Sequence, residues 1–100
     1  MTPEGKVKAW VKRTLDSFGT YYFMPVSNGM GRHGIPDVIC CHYGHFLAIE
    51  CKAGKGKTTA LQDRELLRIR STGGHALVVT DDPATQELLL ILLNKLKEPQ

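Results

Sequence analysis

Two carboxylates and a lysine occur in a pattern that could hold a metal ion beside a phosphate. Asp37 ends the stretch Gly34-Ile35-Pro36-Asp37, and Glu50 and Lys52 belong to Ile49-Glu50-Cys51-Lys52. Carboxylate oxygens are the ligands that Mg²⁺ prefers, and a bound divalent ion lowers the pKa of water and neutralises charge on a phosphate. A lysine could orient the attacking water or stabilise the transition state. These residue types predict a nuclease that depends on Mg²⁺ or Mn²⁺.

The local sequence predicts a β-hairpin that would position these residues. Residues 38–42 and 46–50 are rich in apolar and β-branched side chains, as strands are. Tyr43-Gly44 between them could form a two-residue turn, although it is not one of the strongest hairpin dipeptides. With that turn, His42 faces His45, and the register of the whole hairpin follows.

In that register, the candidate residues share one face of the hairpin. Asp37 lies opposite Glu50, and directly opposed residues have Cβ atoms about 4.5–5.5 Å apart. Strand alternation puts Lys52 on the face of Glu50, while Cys51 points away and could offer only its backbone carbonyl. A slip of one residue would separate the set.

The alternative is that Asp37 caps a turn and that Glu50 and Lys52 form an ordinary exposed pair. The residues before Glu50 argue against this, because Leu47-Ala48-Ile49 is an apolar run. Glu50 continues that strand, where charged residues are depleted. A charge in such a place favours a functional site.

Together with Gln62, these motifs resemble the PD-(D/E)xK nuclease superfamily, and more closely its VRR-NUC group of virus-type replication-repair nucleases. The resemblance covers nearly the whole chain. It implies an α/β fold with a restriction-endonuclease-like core, a mixed β-sheet flanked by helices in the order α-β-β-β-α-β-α. Small stand-alone members of this group are similar to Holliday-junction resolvases and act as homodimers. The resemblance therefore implies a homodimer that cleaves branched DNA, in particular four-way junctions.

The resemblance also implies roles for individual residues. Asp37 and Glu50 would bind the metal, with the backbone carbonyl of Cys51, and Lys52 would act in catalysis. The family's glutamate on the amino-terminal helix corresponds to Glu4, which would add a metal ligand. The family's glutamine at the start of the next helix corresponds to Gln62, which would complete the catalytic set.

Glu4 and Gln62 each keep an alternative interpretation. Glu4 could instead favour the positive end of the first helix, or pair with Lys8 one turn later. The amide of Gln62 could hold Lys52 or the attacking water, or it could be an ordinary exposed side chain on a helix.

Length and composition set the limits of the prediction. One hundred residues fit a single domain spanning residues 1–100, and the formal net charge of +3 favours an anionic partner only mildly. The longest apolar run, Leu88–Leu93, is too short to cross a membrane. The first residues lack the apolar region of a signal peptide, and three cysteines cannot all pair within the chain. An intracellular setting is therefore expected.

Cap residues and apolar periodicity predict the elements around the hairpin. The predicted helices begin after Thr2, after Thr58 or Thr59 (ending at Arg70), and after Asp82. The predicted flanking strands are Tyr21–Val26 and His75–Thr80.

Several cations are candidates for contact with the DNA backbone, since such contacts need no particular base sequence. They lie on the first helix, in the glycine-rich loop before Asp37 and in the loop after Lys52: Lys8, Lys12, Arg32, Lys55 and Lys57. The alternative for Arg32 is a solvated loop residue.

The last predicted helix is apolar on every side between Leu88 and Leu93. Such a helix tends to be buried on more than one side, so this region or the first strands is expected to form the dimer interface. Simple core packing with a few exposed leucines is the alternative.

Three other motifs point to different chemistry, and each fails a requirement. The segment Gly29–Gly34 matches G-x-G-x-x-G, but the next element is a strand and not a helix. The segment Gly54–Thr58 resembles half of a phosphate-binding loop, but Cys51 stands where the first glycine is required. No nucleotide cofactor is therefore expected. Zinc is disfavoured because the adjacent Cys40 and Cys41 would face opposite sides of a strand.

Two rival functions remain at this stage. A DNA-binding module without catalysis could keep the same fold, but the intact Asp37, Glu50 and Lys52 set argues against it. Nucleotide hydrolysis has the weakest support in the sequence.

Overall fold

Residues 1–26 and 32–97 are described by the computed structural model. Within these ranges, the elements follow the predicted order α-β-β-β-α-β-α. The helices are α1 (Pro3–Ser17), α2 (Ala60–Ser71) and α3 (Pro83–Lys95). The strands are β1 (Tyr21–Phe23), β2 (Val38–His42), β3 (His45–Cys51) and β4 (His75–Val79).

The predicted hairpin register is confirmed. Strands β2 and β3 are antiparallel, with His42 opposite His45 and Val38 opposite Ile49. The turn residues Tyr43 and Gly44 both have positive φ, 52° and 84°. Positive φ at both central residues is the requirement of a type I′ turn, whose twist matches the twist of the strands it joins. This register brings Asp37 and Glu50 to neighbouring positions just beyond the last ladder pair.

The four strands of the described chain form one mixed sheet in the order β1-β2-β3-β4. The first three strands are antiparallel neighbours, whereas β4 runs parallel to β3 after the crossover through α2. The carboxyl ends of β3 and β4 therefore meet at the same edge, where Glu50 lies beside Val78. The predicted fold class, a mixed sheet flanked by helices, is confirmed.

Helices α1 and α3 cover one face of the sheet. Val7, Val11 and Leu15 of α1 recur at helical spacing and are buried, as are Leu89 and Leu93 of α3. They pack against alternate residues of the sheet in one apolar core: Val38, Cys40, Leu47, Ile49, Cys51 and Val79. Helix α2 packs against β4 on the other face, which carries Ala48, Glu50 and Phe46.

Local hydrogen bonds explain where the elements begin and end. Thr2, Thr59 and Asp82 each accept a hydrogen bond from the first turn of α1, α2 and α3, as N-caps do. Strand β1 ends at Phe23 and not at Val26, because the following proline, Pro25, has no N–H to extend the ladder.

Four other boundaries differ by one residue from the prediction, and two of them belong to β3, which is one residue longer at each end than predicted. Strand β4 ends at Val79 because the N–H of Thr80 donates to Thr85 Oγ1, at 2.9 Å, instead of continuing the sheet. Helix α2 extends to Ser71, one residue beyond the predicted end.

Helix α3 is not buried on all sides. Leu89 and Leu93 are inaccessible, whereas Leu88 and Ile91 are 57% and 54% exposed. Among the residues that the structure describes, no helix has the length and apolar character needed to span a membrane.

Candidate active site

Asp37 and Glu50 meet at the edge of the sheet where β2 begins and β3 ends. The backbone N–H of Cys51 donates to Asp37 Oδ2 at 2.8 Å, which fixes the Asp37 carboxylate against β3. Glu50 is only 2% exposed, although it lies on the sheet face that α2 covers and not on the core face of Leu47 and Ile49. The structure thus brings together the two carboxylates that the spacing predicted to be neighbours.

The environment of Glu50 opposes its negative charge. Burial, followed by a hydrogen bond and the charge of Asp37, raises the pKa of Glu50 to about 8, while the nearby Lys52 acts to lower it. Glu50 Oε2 is buried and has no hydrogen-bond partner among the described residues. A buried carboxylate pair needs either a shared proton or a cation to offset the repulsion. The pair therefore fits a divalent cation, for which it offers hard oxygen donors.

Gln62 contacts Glu50 from the first turn of α2. Its Oε1 accepts from the backbone N–H of Thr59 at 2.9 Å, and Thr59 Oγ1 accepts from the N–H of Gln62, which completes a capping box. With its oxygen held in this way, Gln62 Nε2 points towards Glu50 Oε1 at 3.5 Å. The amide thus lies at Glu50, and its predicted contact with Lys52 or with the attacking water stays a prediction.

Gly34 permits the close approach of the loop before Asp37 to α2. Its φ of +81° lies in the left-handed region, and a Cβ at this position would lie 2.6 Å from the carbonyl carbon and oxygen of Leu61. Leu61 directly precedes Gln62, so this glycine sets the separation between the two parts of the site.

Gly34→Ala is expected to destabilise the protein by about 2–4 kcal/mol, from the left-handed backbone and the clash together. The first turn of α2 must move away, so the Gln62 contact and DNA cleavage should be lost as well. Thermal unfolding and cleavage rate measure the two effects. Gly44→Ala is the matched control, because φ is +84° there but nothing lies within 4 Å of the added Cβ. Equal effects of the two substitutions would show that the contact with Leu61 is unimportant.

Lys8 and Glu4 of α1 extend the carboxylate site. Lys8 Nζ lies 3.5 Å from Glu4 Oε2 and 3.7 Å from Asp37 Oδ1. Burial acts to lower the pKa of Lys8, but the Asp37 and Glu4 carboxylates outweigh it and raise that pKa. The predicted pairing of Glu4 with Lys8 is therefore present, while the contact of Lys8 with Asp37 was not foreseen. The predicted contact of Lys8 with DNA stays a prediction.

No three side chains of His, Cys, Asp or Glu within residues 1–26 and 32–97 converge as a metal site. Glu4 reaches Asp37 through Lys8 and does not join the carboxylate pair directly. At this edge of the sheet, Asp37 and Glu50 are thus the neighbouring acidic donors among the described residues, and the direct ligand role predicted for Glu4 stays a prediction. The side chain of Cys51 is buried in the core, as the alternation predicted.

Lys52 lies at the end of β3, where its backbone N–H donates to Val79 O at 3.0 Å. It is half-buried, and its charge acts on Glu50. The loop that follows is held by Gly54, whose N–H donates to Asp81 Oδ1 at 3.1 Å. Sequence reasoning missed Asp81, because no local pattern connects it to this loop. Lys55 and Lys57 of the loop are exposed, as is Lys12 on α1.

Arg32, which was predicted to contact DNA, forms an ion pair with Glu65 of α2. Its Nη2 lies 3.0 Å from Oε2 of Glu65, a carboxylate of α2 that is only 8% exposed, while 59% of the Arg32 side chain remains exposed. This pair holds the end of the loop before Asp37 against α2. The predicted contact of Arg32 with DNA stays a prediction.

The other motifs gain no support. In the segment 29–34, residues 29–31 lie outside the described residues, and the next element is strand β2, as expected. The segment 54–58 leads into α2 without the first glycine of a phosphate-binding loop.

The arrangement around Cys40 and Cys41 also disfavours zinc. Cys40 is buried in the core and Cys41 is exposed on the other face. Both ring nitrogens of His42 are used, Nδ1 with Thr20 Oγ1 and Nε2 with the carbonyl of Leu93, each at 2.9 Å. Since that carbonyl can only accept, Nε2 of His42 is the donor in this hydrogen bond.

Comparison with known families identifies the chain. A family model described as archaeal Holliday junction resolvase (Hjc) matches residues 12–98, a range that includes Asp37, Glu50 and Lys52 but begins after Glu4. No curated protein and no solved structure matches the chain. The match spans most of the sequence, and it confirms both the expected PD-(D/E)xK-type family and the expected function. The chain therefore belongs to the archaeal Holliday junction resolvase family, whose members are metal-dependent nucleases that cleave four-way DNA junctions.

Proposed function

We propose that this chain is an endodeoxyribonuclease that uses Mg²⁺ or Mn²⁺ and cleaves four-way junctions as a homodimer. The observation that carries the proposal is the buried pair of Asp37 and Glu50, with an unpartnered oxygen on Glu50 and with Lys52 beside it. The closer likeness to the VRR-NUC group and an intracellular setting stay predictions.

Asp37 and Glu50 would hold the metal, with the backbone carbonyl of Cys51. When bound, the metal would supply the positive charge that acidifies water and offsets charge on the phosphate. The N–H of Cys51 orients the Asp37 carboxylate, and Gln62 orients Glu50. Such supporting hydrogen bonds keep carboxylate ligands in place before the substrate arrives.

Lys52 would supply the remaining positive charge at the reacting phosphate. It lies close enough to Glu50 to lower that residue's pKa, and its side chain is half-buried at the open edge of the sheet. A cationic donor in a partly desolvated position stabilises developing negative charge more strongly than one in bulk water. Glu4 and Lys8 would support the site by holding Asp37 from α1.

The exposed cations around the site would hold the DNA backbone. Lys12 lies one turn after Lys8 on α1, and Lys55 and Lys57 lie on the loop that follows Lys52. Each phosphate contact would contribute about 0.9 to the slope of log affinity against log salt concentration. Arg32 would add a contact at the end of the loop before Asp37, while Glu65 positions it.

We assign the dimer interface to the open part of the sheet, on the face opposite α1 and α3. Tyr21 lies opposite Cys41, and Cys41 opposite Phe46, so these side chains form a row on one face, with Phe23 opposite Ile39 in the next row. Tyr21, Phe23 and Phe46 are 70%, 50% and 46% exposed. Aromatic residues are enriched at interfaces, whereas the large exposed apolar residues of α3 are aliphatic. A symmetric dimer would place two sites for paired cuts on a junction.

Phe46→Asp and Phe23→Asp are each expected to convert the dimer into a monomer, because a charge would be buried at the interface without a partner. Analytical ultracentrifugation should give twice the 11.1 kDa chain mass for the wild type and the single mass for the variants. Ile91→Asp on α3 is the control, because Ile91 is similarly exposed, at 54%. If only Ile91→Asp is a monomer, the interface must be assigned to α3 instead. If the wild type is itself a monomer, the proposed dimer is rejected.

Cleavage of a labelled DNA panel tests the function. The panel contains a four-way junction, a flap, a linear duplex and a single strand, each with Mg²⁺, with Mn²⁺ and with EDTA. Symmetric cuts in the junction that require the metal are expected. Preferred cleavage of the flap or duplex would support nuclease activity but show that the four-way junction is not the preferred substrate. Tight junction binding without cleavage or metal binding would favour the DNA-binding module.

A further inference from the structure

A groove lies between α1 and the segment that connects β4 to the first turn of α3. It encloses about 390 Å³ and is lined by Pro3, Lys6, Val7, Trp10, Arg13, Asp81 and Gln86. This volume is within the range that takes a small organic group. None of its side chains serves the proposed roles at Asp37, Glu50 and Lys52.

The α1 wall of the groove combines an aromatic ring with two cations. Lys6, Trp10 and Arg13 follow one another at helical spacing, so they share one face of α1. Trp10 is half-buried, since its indole packs against the core on one side and lines the groove on the other. Lys6 and Arg13 are exposed and form no ion pair with any described residue. Both charges are therefore available to an anion beside the ring.

The opposite wall connects the groove to the catalytic edge. Asp81 accepts from the N–H of Gly54, two residues beyond Lys52, so its carboxylate already has a hydrogen-bond donor. Gln86, which also lines the groove, donates from Nε2 to Thr80 O at 3.1 Å, so its amide oxygen is not used in that bond. The charged side chains that line the groove are Lys6, Arg13 and Asp81, so its net charge is positive. A strand that passes the reacting phosphate could continue into it.

We propose that this groove binds an unpaired nucleotide next to the branch point of the DNA. The base stacks on Trp10, and Lys6 and Arg13 hold the adjoining phosphates. Base stacking on an aromatic side chain needs an exposed face of the base, which a continuous duplex does not offer but an opened branch point does. The inference rests on the proposed function, because it names the part of a branched substrate that the protein would recognise.

Trp10 is the only tryptophan in the chain, so its fluorescence reports directly on the groove. Junction DNA is titrated into the wild type in EDTA, where cleavage does not interfere, and fluorescence anisotropy of labelled DNA measures binding independently. Quenching of Trp10 by the junction, with the same midpoint as the anisotropy, is the expected result. A linear duplex of the same sequence should bind more weakly and leave the emission unchanged, whereas a short oligothymidylate should quench it.

The double variant Lys6→Ala/Arg13→Ala tests the phosphate contacts. Loss of two contacts should weaken junction binding about 10-fold or more and lower the salt slope by about 1–2. Lys95→Ala is the matched control, because Lys95 lies exposed in the last turn of α3, outside the groove and the candidate site. It should change neither the affinity nor the slope. Trp10→Phe should keep a ring for stacking and lose only the signal.

Three outcomes would overturn the inference. One is junction binding, seen by anisotropy, without any change in Trp10 emission. The second is equal quenching by the linear duplex, which would show contact with paired DNA. The third is a double variant that behaves like Lys95→Ala. Cleavage of the junction without quenching of Trp10 emission would reject nucleotide binding in the groove and leave the proposed nuclease activity standing. Quenching without any cleavage would support binding in the groove and reject the proposed nuclease activity.

Discussion

Lys52→Ala is expected to lower the rate of junction cleavage by about 10²–10³-fold while the affinity for the junction changes little. Lys52 lies beside the Asp37 and Glu50 pair, so its charge can act on the phosphate that a bound metal would hold. An interaction that strengthens only in the transition state affects the chemical step and not binding. Single-turnover cleavage at saturating protein measures the chemical step, and anisotropy in EDTA measures binding.

Lys55→Ala is the control for this prediction, because it removes a lysine from the same loop at an exposed position. We expect it to weaken binding modestly and to lower the salt slope by about 0.9, with the single-turnover rate at saturation preserved. Full cleavage by Lys52→Ala would reject the proposed site. A loss of binding in Lys52→Ala that equals the loss of cleavage would make Lys52 a DNA-binding residue only.

Glu50→Gln is expected to abolish cleavage and, in the metal-free protein, to raise stability at alkaline pH. The pKa of Glu50 rises from 4.5 to about 8 on folding, so the folded state favours the protonated carboxyl. This contribution to stability is fully present below about pH 4.5 and is lost as the pH rises through about 8. Glutamine stays neutral throughout, and its amide can donate to Asp37 and accept from Gln62. The variant should therefore escape the loss of stability.

Thermal unfolding between pH 5 and pH 9 in EDTA measures this difference. Each pKa unit corresponds to about 1.4 kcal/mol, or about 4–8 °C in Tm for a domain of this size. The Tm of the wild type should fall by more than that of Glu50→Gln, while Glu87→Gln, an exposed position on α3, should follow the wild type. Added Mg²⁺ or Mn²⁺ should raise the Tm of the wild type and of Glu87→Gln at high pH, but not the Tm of Glu50→Gln. Parallel curves for all three proteins would reject the buried carboxylate pair.

Local physics explains why much of the site was predictable. Side chains alternate along a strand and Tyr43-Gly44 can form a tight turn, so the sequence predicts the hairpin register. That register places Asp37 beside Glu50, with Lys52 on the same side. The helix starts at Thr2, Thr59 and Asp82 were predictable for the same reason, since each cap bonds to an N–H only two or three residues away.

The surroundings of the pair were not predictable, because they depend on how helices pack against the sheet. Lys8 reaches Asp37 only because α1 packs against the sheet beside it, and Gln62 reaches Glu50 only because the first turn of α2 lies near the end of β3. Sequence spacing contains no information about such angles and distances between elements. The same limit applies to Gly34. Only the position of the α2 backbone shows that a side chain at residue 34 would clash.

The sequence by itself therefore determined the element order and the neighbouring carboxylates, since both follow from periodicity, capping and turn geometry over short stretches, and its resemblance to a nuclease family implied the fold class. Tertiary structure alone decided that Glu50 is buried with an unpartnered oxygen, that Lys8 contacts Asp37, and that Trp10 lines a positively charged groove. Burial and electrostatic environment arise from the packing of distant segments, and the pKa of a carboxyl group responds to that environment.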